Sequence, residues 1–230
     1  MQAKIRQIPL YLLWSLMAGF SMFLVYITLL YYSGENINFL KAKLMMQPNV
    51  VRSFAWRLSF YIHITGGVMA LATGPFQFIA SLRRRNILLH RLLGRIYVIG
   101  ILFVGAPAGL YMAFFANGGP VAGLGFAILC MLWVITTYKA VMHARNRQIT
   151  EHRRWMVRSF ALTFAAVTLR LWVPILSRGF NVSYDDTIII TAWLSWVPNI
   201  LVAELIIYRR KLFSTVFAIK NSTTHKNQSA

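Results

Sequence analysis

Residues 151–176 read EHRRWMVRSFALTFAAVTLRLWVPIL. One acid, Glu151, and four bases, His152, Arg153, Arg154 and Arg158, crowd around a Trp and a Met. The run that follows is almost wholly apolar, broken only by Arg170. A soluble helix alternates its apolar and polar faces every few residues. Here polarity and apolarity are instead separated along the chain. That pattern suits a helix leaving water for hydrocarbon, where roughly 20 apolar residues cross about 30 Å.

The pattern recurs. Apolar runs of spanning length cover about 10–32, 58–80, 92–115, 121–142, 156–176 and 187–208. The 230 residues are 58% hydrophobic and only 13% charged, too little charge for the surface of a soluble fold this size. The expectation is an all-α integral membrane bundle of six transmembrane helices forming one domain over 1–208. A basic cytoplasmic tail follows over 209–230 and ends in the polar, disorder-prone NSTTHKNQSA. The first run follows Lys4 and Arg6 but is too long for a signal peptide and has no clear cleavage site, so it reads as an uncleaved helix.

A formal net charge of +19 raises nucleic acid as a partner. The bases, however, sit at the ends of apolar runs and form no basic stripe with interleaved aromatics, so nucleic acid is set aside and the lipid bilayer is the expected partner. Positive charge instead sets orientation. Of 24 Lys and Arg, only Lys41, Lys43, Arg52, Arg57 and Arg178 fall on one side, and Arg170 lies within a span. The remainder, including Arg83, Arg84, Arg85, Arg91, Arg95 and Arg153, share the other side. The expected placement is the bacterial inner membrane with both termini cytoplasmic. Tyr31, Tyr32, Trp56, Trp155 and Tyr208 stand at run ends, where an interfacial aromatic belt is expected. Cys130 is the sole cysteine, which excludes an internal disulfide and a cysteine-based zinc site.

Polar groups that orientation does not need are the candidates for function. Glu204 is the one acid of five inside a run. It reads either as a structural partner of Arg95 or Arg158, or as a ligand or proton carrier. Arg170 falls on one helical face with Ser159 and Thr163, a face expected to point inward, with Asn199 or an anionic ligand as partner. His63 shares a face with Gly67, Ala70, Gly74 and Gln77; the small residues suit close helix packing, or the approach of a flat cofactor. His90, His143 and His152 all fall at helix ends of similar depth, with Glu204 near them. This is a ligand set for haem b or a transition metal. The bland alternative for each histidine is an interfacial hydrogen-bonding role. No metalloprotease, phosphate-loop or nucleophile-elbow motif is present, and no catalytic residue is assigned.

Four segments, HITGGVMALATGPFQF, LHRLLGRIYVIG, HRRWMVRSFALTFAAVTLRLW and AWLSWVPNILVAE, resemble in order a bacterial membrane family, number 2306 among the domains of unknown function. The resemblance runs from His63 to Glu204. It implies a multi-pass membrane protein of unassigned activity, with recurring polar positions at His63, Gln77, His90, Arg91, Arg95, His152, Arg153, Arg170, Asn199 and Glu204. His143 lies outside those motifs. The general plan is also similar to membrane b-type cytochromes, with one departure. His63 is alone on its side, so at most one bis-histidine haem would form, at the cytoplasmic end. Three functions follow as expectations: a redox or cofactor-binding protein; a small-solute or proton-coupled transporter using Glu204, Arg170 and His63; or a cofactor-free scaffold or assembly factor.

Overall fold

The computed structural model describes residues 8–30 and 38–209, and among them every regular element is helical. The elements are α1 (Ile8–Leu29), α2 (Asn38–Met46), α3 (Pro48–Arg52), α4 (Phe54–Thr73), α5 (Ala80–Arg85), α6 (Ile87–Ala113), α7 (Gly119–Arg145), α8 (Ile149–Gly179) and α9 (Tyr184–Arg209). Four of them, α6 to α9, are long and apolar enough to cross a membrane. Each begins two to seven residues before its apolar run. α4, at 20 residues, is about 30 Å long, but Arg57, His63 and its glycines and threonines dilute its apolar character. α1 is apolar over Ser15–Leu29. Lys4, Arg6, Tyr31, Tyr32, Glu35, His225 and the tail 210–230 lie outside the described residues.

Short turns at 114–118, 146–148 and 180–183 make α6 to α9 an up-and-down series, so α6 and α8 run parallel with α7 antiparallel between them. The main core gathers Tyr97, Ile101, Trp133, Ala140, Met156, Phe160, Leu162 and Trp196 from all four. α7 is regular throughout, but α6, α8 and α9 are each interrupted. A π-turn at Gly100–Gly105 precedes Pro107 in α6, and another at Ile175–Gly179 follows Pro174 in α8. Proline has no N–H for the carbonyl four residues back, and a widened turn accommodates the loss.

α4 packs on the first of these π-turns. A Cβ on Gly66 would meet Gly105 N at 2.4 Å and Gly100 O at 2.5 Å, so only glycine allows this crossing. Gly67, by contrast, has open space around it. The small-residue stripe facing the neighbouring helix therefore starts at Gly66, one position from the expected Gly67. Trp56 also departs from its expected place in the belt. It is 1% exposed, stacks on Phe60 and joins a small core with Val51 and Ile64.

The end of the bundle near Trp56 is capped by α2 and α3, and one lysine fastens the cap. Lys43 is buried, and its Nζ donates to Gln47 Oε1 (3.0 Å), Asn117 Oδ1 (3.1 Å) and the Phe115 carbonyl (2.5 Å). The cation also lies 5.4 Å from the Trp56 ring centroid. Asn117 in turn donates to the Tyr184 hydroxyl at 3.1 Å, so this chain of contacts ties α2, the α6–α7 turn and α9 together. Burial without an acid lowers the Lys43 pKa from its ordinary 10.5 to about 8.

The sign of the resulting pH dependence follows from linkage. Below pH 8 the lysine is charged whether the cap is docked or not, and docking carries the full cost of burying a cation. Between 8 and 10.5 the docked lysine loses its proton first, so docking strengthens as pH rises. Tryptic cleavage after Lys41, normalised to an unfolded reference at each pH, should therefore slow across that interval. The dependence should vanish in Lys43→Met.

Candidate functional site

Hydroxyl groups hold the middle of the bundle together. Tyr97 of α6 is fully buried, and its OH lies 2.9 Å from Ser159 Oγ and 2.8 Å from Thr163 Oγ1, both on α8. Trp133 of α7 donates from Nε1 to Thr163 Oγ1 at 2.9 Å, and Thr137 Oγ1 is 2.7 Å from Ser159 Oγ. Inside a membrane such groups must find partners within the protein, which gives helix packing a register that apolar contacts lack.

The Tyr97–Ser159 contact has a consequence two turns away. His90 lies seven residues before Tyr97, and His152 lies seven residues before Ser159. Seven residues are about two turns and about 10 Å, so each histidine returns to the face of its partner in the network. Since α6 and α8 are parallel, one hydrogen bond sets the two imidazoles at a common depth. Helix ends place both rings in first turns. Asn86 caps α6 by accepting from Leu89 N at 2.9 Å, and α8 starts after Gln148, whose carbonyl accepts from His152 N at 2.9 Å.

The two rings are held differently. His152 Nδ1 is 2.8 Å from the Ala140 carbonyl of α7. A carbonyl only accepts, so Nδ1 carries the hydrogen and neutral His152 keeps a lone pair on Nε2. His90 Nδ1 is buried without a partner. Besides His152, the charges acting on His90 are those of Arg83 and Arg91. Arg83 is itself pushed below the usual arginine range, first by burial and then by the like charges of Arg153 and Arg84. Nearby Glu151 is bonded to Arg154. Gln77, in the 3₁₀ turn Pro75–Phe78, completes this region. Its Oε1 is 3.2 Å from where a Gly94 Cβ would lie, one turn along α6 from His90, and its Nε2 is buried and unpartnered.

The other candidates stand apart from this pair. His143 Nδ1 is 2.5 Å from Gln148 Oε1, and the ring stacks on Trp155, with centroids 6.4 Å apart and planes at 8°. It closes the α7–α8 turn. Trp155 also carries Lys139 Nζ and Arg158 Cζ, each 4.5 Å from its ring centroid, as an interfacial tryptophan does. Glu204 makes a two-point contact with Arg158, at 2.5 Å to Nε and 2.8 Å to Nη2, joining α9 to α8. Arg95, the alternative expected partner, makes no ion pair with it. Among the described residues no three of His, Cys, Asp and Glu converge where they could hold a metal ion.

His63 lies toward the other end. Its Nδ1 is 2.8 Å from the Gly105 carbonyl in the α6 π-turn, and its ring fills a notch at Gly109, where a Cβ would meet it at 2.7 Å. Arg170 is exposed. It donates to the Ala166 carbonyl at 3.0 Å, and its charge reaches His63. The expected inward face of Ser159, Thr163 and Arg170 does not extend to Arg170, which is exposed while Ser159 and Thr163 are buried on the other side of the interruption at Phe164. Asn199 contacts the carbonyls of Ala161 (3.2 Å) and Ser195 (2.9 Å) and the Thr168 hydroxyl (3.1 Å), so it bridges the interruptions in α8 and α9.

Tyr97, Trp133 and Thr137 were missed by sequence reasoning that started from charged residues and histidines and followed only the polar residues that shared a face with them or recurred in the resemblance. The available signal was spacing: Trp133 and Thr137, like Ser159 and Thr163, are four residues apart and place hydrogen-bonding groups on one face of an apolar helix. Tyr97→Phe should lower stability by about 1 kcal/mol, the scale of a buried interhelical hydrogen bond in a membrane protein. Unfolding measured in bicelles checks this, and an unchanged stability would remove the network from its registering role.

A family model described as Predicted membrane protein (DUF2306) matches residues 60–207. No curated protein and no solved structure matches the chain.

Proposed function

The chain belongs to the DUF2306 family of predicted membrane proteins, and we propose that it is a six-span redox protein that holds haem b between His90 and His152. In this reading α1 and α4 join α6 to α9 as spans, both termini are cytoplasmic, and the histidine pair lies at the cytoplasmic end of the inner membrane. The positive-inside distribution supports that orientation, because Arg83, Arg84, Arg85, Arg91 and Arg95 share an end with Arg145, Arg147, Arg153 and Arg154. Reporter fusions after Arg85, Arg147 and Lys220 should report cytoplasm, and fusions after Gly118 and Asp186 the outside. A cytoplasmic signal at Gly118 would remove the six-span arrangement.

The observation that carries the cofactor reading is the state of the two rings. His152 has Nδ1 committed to a backbone carbonyl and Nε2 free to ligate, an orientation common in metal-binding histidines. His90, brought to the same depth, has a buried ring nitrogen with no partner in the chain. The donor set favours haem over a bare ion. A transition-metal ion bound by protein alone takes three or four ligands, and no third donor converges here among the described residues. Haem brings four nitrogens of its own and needs only axial ligands. Its carboxylates would suit Arg83, Arg84, Arg91 and Arg153, a like-charged group whose nearby acid Glu151 is already engaged. When bound, the group supplies one-electron chemistry. The chain's part is to fix ring orientation, offset the carboxylates and keep the site dry.

The carrier reading draws less support, because both oxygens of Glu204 are committed to Arg158. The deciding experiment is an absorption spectrum of the protein produced with haem precursors and metals supplied. A Soret band that shifts on reduction is expected. His90→Ala and His152→Ala should each abolish it, whereas His143→Ala and Glu204→Gln should leave it. Colourless, metal-free wild-type protein would overturn this reading and leave the transporter and scaffold readings.

A further inference from the structure

At the end of the bundle opposite His90, two cavities abut beneath the Lys43-fastened cap. One, of about 420 Å³, is an open hollow of mixed lining, with Gln47, Asn117 and Asp185 beside Met46 and Ile189 on its walls. The other, of about 600 Å³, is mainly apolar, with Val50, Phe114, Phe115, Pro120, Leu124 and Ala127 on its walls. They share Gln47 and Gly119. The apolar cavity follows α7 from Gly119 to Ala127, a depth of about 12 Å at 1.5 Å per residue. Beside it Phe114, Val121 and Leu124 are exposed on the bundle surface.

The polar walls are fixed in place. Gln47 and Asn117 both accept from Lys43 Nζ, and Asn117 is further held by Tyr184. The two acids at the start of α9 differ in their commitments. Asp186 is used in capping: its N–H donates to Ser183 Oγ at 3.2 Å, and its Oδ2 accepts from the same hydroxyl at 2.6 Å. Asp185 lines the cavity and forms no ion pair among the described residues. Lys43 spends its three N–H donors on neutral oxygens and makes no ion pair with Asp185.

We infer that these paired cavities form a binding site for a bilayer amphiphile with a cationic nitrogen in its head group, of the ethanolamine phospholipid class. The amine sits against Asp185 beside Gln47 and Asn117, and an acyl chain lies in the trough along α7. Charge complementarity selects the amine, because Asp185 is the one charged group among the described residues that line this hollow. The apolar trough, open to the bilayer side, selects a hydrocarbon chain over a water-soluble amine. This inference is independent of the haem reading, since it uses a different end of the bundle.

The test uses the full chain, stripped of lipid in non-ionic detergent and incubated with lysophosphatidylethanolamine or lysophosphatidylglycerol. Native mass spectrometry should show one retained ethanolamine lipid per chain, favoured about fivefold over the glycerol lipid. Asp185→Asn should erase the preference while retaining both lipids. Leu124→Trp, which fills the trough, should reduce both, and Ala127→Leu serves the same purpose if circular dichroism shows that the Trp variant is unfolded. Equal retention of the two lipids by wild type overturns the inference. So does retention that both trough variants leave unchanged.

Discussion

The Tyr97 hydroxyl, between Ser159 and Thr163, is the contact on which the arrangement of α6, α7 and α8 depends. Lipid chains are as apolar as leucine side chains, so burial alone does not choose one helix register over another. Hydrogen bonds do, because each has one length and direction and an unmet hydroxyl in hydrocarbon is costly. Tyr97 reaches two turns of α8 at once, and Trp133 and Thr137 bind the same turns from α7. Sliding α8 by one turn would break several of these bonds together. His90 and His152 inherit their common depth from this network, two turns away and on parallel helices.

Irregular backbone does the complementary work of bringing helices close and turning side chains. The π-turn before Pro107 widens α6 where Gly66 of α4 meets Gly105. That contact leaves the Gly105 carbonyl able to accept from His63 Nδ1. The interruption at Phe164 separates an inward half of α8, with Ser159 and Thr163, from an outer half where Arg170 is exposed. Asn199 and Thr168 take up carbonyls at the interruptions: Thr168 Oγ1 is 2.5 Å from the Ser195 carbonyl, which Asn199 also approaches. Polar side chains that look functional on a helical wheel thus include some that serve the backbone.

The two ends of the bundle solve different electrostatic problems. At the histidine end, Arg84 and Arg153 press like charges on Arg83, which with Arg91 acts on His90, an arrangement an anion would relieve. At the capped end, neutral oxygens and an indole face receive one buried lysine, and the loss of hydration on burial lowers its affinity for the proton. Glu204, the acid within α9, is held by Arg158, which also covers Trp155. That residue therefore links the ion pair to the interfacial aromatic.

The sequence by itself determined the membrane class, the helical fold and the positions of the long helices. These follow from a local quantity, the length of an apolar run. It also offered Arg95 and Arg158 as partners of Glu204, beside a role as ligand or proton carrier, and Glu204 pairs with Arg158. Which glycine faces a neighbour was not local. Gly66 and Gly67 are adjacent and chemically identical, and only the crossing with α6 distinguishes them. Nor was the fate of four polar residues placed at one depth. His90 and His152 face a common region, while His143 turns to Gln148 and Glu204 to Arg158. Depth is read along one helix, but direction depends on how helices rotate against each other. Here that rotation is set by hydrogen bonds between residues 62 and 66 positions apart in the chain, a separation that sequence periodicity does not reach.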